Sequence, residues 1–468
     1  MLVRQASAVA RQLSDAGIRP GDHVAVLSDA STDHVACVYG ILFAGAVVIP
    51  LNAGARAEEL QRWIVHGEAR VLLADKAHPE VATLLTRLEG VTVLLRDRHS
   101  VADANDAAIA HCIERRPEQL AAMLYTSGTT GQPKAVMLSH GNLAANTDAI
   151  VSYLQLSRGD SVVSVMPFHY AYGSSVLHTH LAVGGRVIIE PNLVYPHRVL
   201  ETIARESATG FAGVPSTFAL IAARVSCEKY DLASLRYLTQ AGGPMTAALT
   251  ARVRKQFPRA DLFLMYGQTE ATARLTYVPP SRLEDKAGSV GIAIPGVEIQ
   301  IRDAARTPLP AGMQGDVWAR GGSIMLGYWK DATATAATLV DGWLCTGDAG
   351  SLDTEGFLFL AGRRSDIIKV GAHRVFPRDI EDVIVALDGV TEAAVVGVED
   401  ELTGEAVKAC IVIAAGVTLD ELIVKQHCRS RLAAYKIPRF IEFRDSLPKT
   451  ANGKVRRQLL ALPSQGSE

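Results

Sequence analysis

Tyr125-Thr-Ser-Gly-Thr-Thr-Gly-Gln-Pro-Lys-Ala-Val136 is the most informative stretch of the chain. An apolar, β-rich run over Ala121 to Thr126 enters it, and a second apolar run leaves after Lys134. Between them lie glycines, which let backbone N–H groups crowd an anion. The hydroxyls of Ser127, Thr129 and Thr130 add donors, Gly128 and Gly131 add freedom, and Lys134 adds positive charge. The stretch is not a Walker A loop, because Gly128 and Lys134 do not fit G-x-x-x-x-G-K-[ST] and Ala135 follows the lysine. So dense a run of small and hydroxyl-bearing residues favours an anion-binding turn between two strands over a plain polar loop.

On either side, apolar-faced helices alternate with short β-branched runs. Ser7 to Ala16 has a helical pattern that closes at Gly17, and Val24 to Ser28 reads as a strand. A helix over Asp33 to Phe43 leads to a strand at Val47 to Pro50; further strands fall at Val71–Ala74, Val91–Leu95, Val162–Met166 and Arg186–Glu190. Helices alternating with strands in this way predict βαβ units and a mostly parallel sheet. After about Gly288 the texture changes to dense Gly and Pro between short alternating strands, the pattern of a small β subdomain. The charged segment Gly362-Arg-Arg-Ser-Asp366 then precedes a compact region with its own alternation: helix Pro377–Leu387, strands Ala393–Gly397 and Lys408–Ile413, helix Leu419–Leu432. The expectation is an α/β protein. Residues 1–362 form a large domain of mostly parallel sheets with helices, its β subdomain at about 288–362. A joint at 363–366 leads to a small α+β domain over 367–468.

The 468 residues carry 47 Lys+Arg against 49 Asp+Glu, a formal charge of −2, with 48% hydrophobic residues. Near-neutral charge argues against nucleic acid as a partner, since phosphate neutralisation needs a basic surplus. Six scattered cysteines without a C-x-x-C pair argue against a disulfide framework or a zinc ribbon. The start meets Arg11, Gln12 and Asp15 too soon for a signal peptide. The apolar run Val35 to Leu51 holds Gly40, Gly45 and Pro50 and falls short of the ~20 residues of a spanning helix. A buried helix running into a buried strand is expected there, in a soluble cytoplasmic protein.

Three further segments carry chemistry. Leu264-Met-Tyr-Gly-Gln-Thr-Glu270 places a ring, a glycine, a hydroxyl and a carboxylate on one tight loop, suited to stacking a base, touching a phosphate and ligating Mg²⁺. Gly342-Trp-Leu-Cys-Thr-Gly-Asp348, followed by Leu360-Ala-Gly-Arg363, ends a strand on an aspartate that suits a pair of ribose hydroxyls. In Leu447-Pro-Lys-Thr-Ala-Asn-Gly-Lys-Val-Arg456, Lys454 follows a flexible turn from which it could reach another domain's site. Alone, each has an ordinary reading as a capping glutamate, a turn aspartate or a surface lysine. The pair in His178-Thr-His180 has no third ligand nearby and reads as part of a helix or strand.

Together, in this order and spacing, these motifs closely resemble the AMP-forming adenylate-forming superfamily: acyl- and aryl-CoA synthetases, peptide-synthetase adenylation domains and firefly-type luciferases. The resemblance runs from about residue 5 to 460, and members usually have a few tens of residues ahead of the first helix seen here. It implies a mobile C-terminal lid and a substrate set of ATP, Mg²⁺, a carboxylic acid and coenzyme A. By motif match, Thr126, Ser127, Gly128, Thr129, Thr130, Gly131 and Lys134 resemble the triphosphate cradle. Gly242, Gly243, Pro244, Tyr266, Gly267 and Gln268 resemble the adenine-side contacts, and Thr269 resembles the α-phosphate contact. Glu270, with Thr126, resembles the Mg²⁺ site; Asp348 and Arg363 resemble the ribose contacts. Lys454 resembles the lysine that bridges the carboxylate and the α-phosphate, and Lys369 the lysine of the second half-reaction. The acyl pocket falls on Tyr172, Gly173, Phe211, Gly213, Val214, Met265 and Thr272.

Three places depart from the family pattern. Counting back from Gly173, Tyr170 stands in the column of the gate histidine and His169 precedes it, so either ring serves as the aromatic gate. The hinge position is Ser365, with Asp366 next. In the thiol tunnel, formed by Gly371, Ala372, His373 and Arg374, Ala372 replaces a glycine, and its methyl group narrows a path walled by backbone. The leading expectation is an ATP-dependent acid–thiol ligase, a monomer or homodimer, that adenylates a fatty or aromatic acid and passes it to coenzyme A. The alternatives are transfer to a carrier-protein thiol or a non-thiol nucleophile, and a silent homologue that only binds nucleotide or acyl ligands.

Overall fold

The computed structural model describes residues 1–97, 112–126, 134–190, 195–363, 366–370, 373–400, 404–414, 416–449 and 455–461. Two seven-stranded sheets form the body of the large domain. In the first, His23–Leu27 lies between Val47–Pro50 and Ala69–Asp75, all parallel, and Thr92–Arg96 extends one side. On the other side Leu120–Thr126 adds in parallel, and Lys134–Ser139 turns back antiparallel to it. Every residue of His23–Leu27 is buried, as expected of a central parallel strand covered on both faces.

The local causes are legible. In helix Leu2–Asp15 the buried residues Ala6, Val9, Ala10 and Leu13 recur at the three- and four-residue spacing of one helix face. The helix begins at Leu2, earlier than expected. Helix Thr32–Phe43 starts on Ser31, whose hydroxyl accepts from the backbone of His34 at 3.1 Å, and runs into Val47–Pro50. The apolar run from Val35 is therefore a buried helix and strand.

The second sheet carries five parallel strands: Arg186–Ile189, Ser161–Ser164, Gly210–Gly213, Tyr237–Gln240 and Asp261–Tyr266. Thr276–Val278 and Ile292–Ala293 close it antiparallel. A Cβ on Gly210 would meet the fully buried Tyr237 ring at 2.1 Å, so only glycine lets those two strands pair around that ring. Helix Ala171–Ala182 carries both His178 and His180, which point apart as residues two positions along a helix must. His178 meets Tyr39 and Ser174 at 2.8 and 3.0 Å, while His180 donates to or accepts from Tyr237.

The expected β subdomain is a five-stranded antiparallel sheet of Val297–Arg302, Gly315–Gly321, Leu339–Val340, Trp343–Leu352 and Leu358–Arg363. One segment of that stretch lies elsewhere: Gly327–Tyr328 pairs with Lys134–Ser139 as the edge of the first sheet. The fourth sheet holds Ile368–Val370, His373–Val375, Val390–Asp400, Gly404–Ile413 and Phe440–Phe443, packed on helices Pro377–Val385 and Glu421–Arg429. Both helices are shorter than expected from the sequence. All six cysteines are free thiols. Among the described residues no helix is long and apolar enough to cross a membrane.

Candidate active site

The site assembles where the parallel strands of the second sheet end, as open α/β sheets favour. Strand Asp261–Tyr266 delivers Tyr266, and the chain then passes Gly267 into a short 3₁₀ turn, Thr269–Ala271. A Cβ at Gly267 would meet the Ala273 carbonyl oxygen at 2.0 Å, so this reversal requires glycine. Thr272 follows at the centre of a γ-turn (φ 66°, ψ −52°), rare for a β-branched residue, and its hydroxyl donates to the Ser323 carbonyl at 2.6 Å.

Two carboxylates face the loop, each held by a tyrosine. Tyr266 Oη donates to Asp348 Oδ2 at 2.6 Å, and Tyr328 Oη donates to Glu270 Oε1 at 2.8 Å. Arg363, opposite Asp348 in the antiparallel register, brings Nε to 3.4 Å from Asp348 Oδ1. Burial works against the Arg363 cation, but the Asp348 and Glu270 charges outweigh it and hold its pKa up. Burial, reinforced by Asp348, pushes the Tyr266 phenol well above its usual range. Burial and then Glu270 do the same to Tyr328. Both tyrosines therefore stay protonated donors.

Lys134 begins the second strand of the hairpin, and its Nζ lies 5.2 Å from the centre of the Tyr328 ring. Thr126 stands opposite it, Oγ1 3.5 Å from the Lys134 carbonyl. On the neighbouring strand end, Gly242 has φ +90° and the Gln240 side chain donates to the Gly243 carbonyl at 2.8 Å, with Pro244 next. The Gln268 side-chain nitrogen is buried without a partner among the described residues.

Met265 and Tyr266 are consecutive on one strand and so face opposite ways. Tyr266 meets Asp348, whereas Met265 meets Tyr153 and Arg274 on the helical side. On that side Tyr172 donates to the Thr239 carbonyl at 2.7 Å, and Phe211 packs on Phe218 at 5.5 Å. Gly173 opens helix Ala171–Ala182; Gly213 ends its strand and Val214 caps the next helix. His169 packs tilted against Tyr170, ring centres 4.0 Å apart, and burial pushes its imidazole down to about 3.

In the small domain Lys369 is exposed, His373 stacks flat on Tyr435 at 4.0 Å, and Asp366 pairs with Arg457 at 3.4 Å. Ser127, Gly128, Thr129, Thr130, Gly131, Ser365, Gly371, Ala372 and Lys454 lie outside the described residues, and of Arg374 only the backbone is described. Tyr328, Tyr153 and Arg274 escaped sequence reading. The signal for Arg274 was a lone arginine in the otherwise small and apolar run Ala271 to Tyr277.

Residues 1–329 match the family described as AMP-binding enzyme, and residues 379–454 match the AMP-binding enzyme C-terminal domain. The chain belongs to the AMP-binding enzyme family. It is 33% identical to the feruloyl-CoA synthase of an Amycolatopsis species over 97% of this chain and 91% of that protein. The crystal structure of ATP-bound MatB from Rhodopseudomonas palustris superposes with a TM-score of 0.90 at 31% identity, covering 98% of this chain and 92% of MatB. The amide bond synthetase McbA from Marinactinospora thermotolerans superposes equally well, TM-score 0.90 at 32% identity, covering 98% and 93%.

Proposed function

We propose that this AMP-binding enzyme activates a fatty or aromatic carboxylic acid with ATP and passes the acyl group to coenzyme A. In the first step a carboxylate oxygen bonds to the α-phosphorus and the bond to pyrophosphate breaks. In the second a thiolate attacks the acyl carbon, and AMP leaves. The observation that carries this reading is the pair of tyrosine-held carboxylates, Asp348 and Glu270, around the Arg363 cation. A rigid aspartate beside an arginine suits vicinal ribose hydroxyls, and a second carboxylate suits a metal–phosphate group.

The donor set fits Mg²⁺, which takes one or two protein oxygens and fills its sphere from phosphate and water. Glu270 offers a carboxylate with one oxygen already oriented by Tyr328, and Thr126 offers a hydroxyl. When bound, Mg²⁺ neutralises charge on the phosphate oxygens. Lys134 and residues 126–131 cradle the triphosphate, Thr269 holds the α-phosphate, and Gln268, Gly242 to Pro244 and Tyr266 line the adenine side. The Gln268 side-chain nitrogen, buried and without a partner among the described residues, is a donor suited to a ligand.

Two anions meet when a carboxylate approaches an α-phosphate, so fixed positive charge and dry surroundings lower the barrier. Residues 367–468 act as a lid about the joint at 363–366, with Ser365 and Asp366 as its hinge. The lid supplies Lys454 for adenylation and, after rotation, Lys369 with residues 371–374 for thiol entry. Neutral His169, with Tyr170, serves as the acyl gate. A cytoplasmic location follows from these substrates.

A second reading, transfer to an amine or a carrier-protein thiol, draws on the likeness to an amide bond synthetase. Pyrophosphate and AMP released only when ATP, Mg²⁺ and an acid are all present would support the adenylation step. ADP release, or nucleotide hydrolysis indifferent to acid, would refute it.

A further inference from the structure

We propose that Arg274 reads a second carboxylate, so that the acid this enzyme activates is a dicarboxylic acid. The inference rests on the ligase reading above and narrows its substrate class.

Arg274 is 3% exposed, yet no carboxylate lies within ion-pair distance of it among the described residues. Other well-shielded arginines of the chain are paired: Arg96 reaches Asp33 at 2.5 Å, and Arg457 reaches Glu381 at 2.5 Å. A buried guanidinium left without an anion is costly, and its retention calls for an explanation. What Arg274 does contact is uncharged. Its Nε donates to the Met265 sulfur at 3.2 Å and its Nη1 to the Ala273 carbonyl at a long 3.4 Å, while the guanidinium lies 4.2 Å from the centre of the Tyr172 ring.

Tyr153 makes the same compromise. Its hydroxyl donates to the Met265 sulfur at 3.0 Å. Two good donors thus converge on one thioether, which is a poor acceptor. A carboxylate entering there takes both bonds: the planar fork of Arg274 matches its two oxygens, and Tyr153 adds a third donor. A cavity of about 10 Å³, the size of one water, lies at this place, lined by Ile150, Tyr153, Val176, Thr239, Met265 and Arg274, so a carboxylate enters only as the unbranched Met265 side chain moves aside. Tyr172, which carries the guanidinium on its ring, is itself fixed by its bond to the Thr239 carbonyl.

The position agrees with the geometry of the site. Strand Asp261–Tyr266 turns Tyr266 toward Asp348 and Met265 toward this cavity. An acid lying along the end of that strand presents one carboxylate to the nucleotide side and the other to Arg274. The polar groups elsewhere in the cavity are already spent: Ser175 donates to the Tyr172 carbonyl and Thr179 to the Ser175 carbonyl.

The test uses the full chain with mono- and dicarboxylic acids matched in length, aliphatic and aromatic, following acid-dependent pyrophosphate release. Wild type should favour the diacid on the order of 10²-fold in kcat/KM, the scale of one buried charged contact. Arg274→Met should lose that preference and shift toward the monoacid, and Arg274→Lys should retain part of it. Without ligand, Arg274→Met should melt at the same temperature as wild type or higher, because an unpaired buried cation is gone. Diacid, but not monoacid, should raise the wild-type melting temperature. Wild type that takes mono- and diacids equally overturns the inference and leaves the ligase reading intact. So does an Arg274→Met variant that melts lower and loses activity on both acids alike, which marks a structural arginine. Pyrophosphate release with no acid of either kind overturns the ligase reading and this inference with it.

Discussion

Tyr266 Oη lies 2.6 Å from Asp348 Oδ2, and this bond joins the end of the second sheet's last parallel strand to the antiparallel subdomain. Asp348 is thereby held between a phenol and the Arg363 guanidinium. Tyr266→Phe removes one of those two supports and no core volume. The KM for ATP should rise about tenfold, with kcat changed less, as befits one hydrogen bond to a charged group. Steady-state kinetics over an ATP series checks it; an unchanged KM would detach Asp348 from nucleotide binding.

Glu270→Gln keeps the shape of the side chain and its bond from Tyr328 but removes the charge. Turnover should then need far more Mg²⁺, because a hard cation wants the carboxylate. The melting temperature should stay close to that of wild type. A Mg²⁺ titration identical to that of wild type would contradict the metal role.

Much of the fold was legible because its cause is local. The stripe Ala6, Val9, Ala10, Leu13 and the all-apolar strand at Val24 announce a helix and a buried strand without reference to anything distant. The boundaries were less so. Helix Glu421–Arg429 stops short of Leu432 in a turn where the N–H groups of Arg431 and Leu432 both donate to the one Cys428 carbonyl, so the ladder of one bond per residue ends there. The site's motif residues Tyr266, Glu270, Asp348 and Arg363 were readable one by one, since each sits in a segment with its own chemistry. What the sequence could not convey was company. Tyr328 reaches Glu270 only because Gly327–Tyr328 leaves its own subdomain to edge the first sheet. Arg274 drew no reading from the sequence; only in three dimensions is it buried with no acid at ion-pair distance among the described residues.

Burial holds the His178 imidazole down to about 4 from the usual 6.5, between Tyr39 and Ser174. In the unfolded chain it takes up a proton below about 6.5. The stability it contributes is therefore complete above that pH and is lost as the pH falls from about 6.5 toward 4. His34, also pushed to about 4, acts in the same direction. His178→Gln should flatten the pH dependence of unfolding across that window by one proton. Urea midpoints measured between pH 4 and 7 check this, and equal slopes in the two proteins would contradict it.

The proposed thiol path past Ala372 can be tested directly. Ala372→Gly should leave thioester formation equal or faster, whereas Ala372→Trp should block it while adenylate formation survives, because the two half-reactions use different lid faces. Following adenylate and thioester separately by mass separates the cases. Thioester formation unaffected by the indole would place the thiol path elsewhere.

The most direct test of the whole account is a two-stage experiment on one sample. The enzyme is mixed with ATP, Mg²⁺ and a panel of mono- and dicarboxylic acids without coenzyme A, and its products are weighed; coenzyme A is then added. The account predicts an acyl-adenylate in the first stage, in step with pyrophosphate, and its conversion to a coenzyme A thioester with AMP in the second. An adenylate that persists for every acid after coenzyme A is added would contradict the thiol acceptor, and the absence of any adenylate would contradict the central claim.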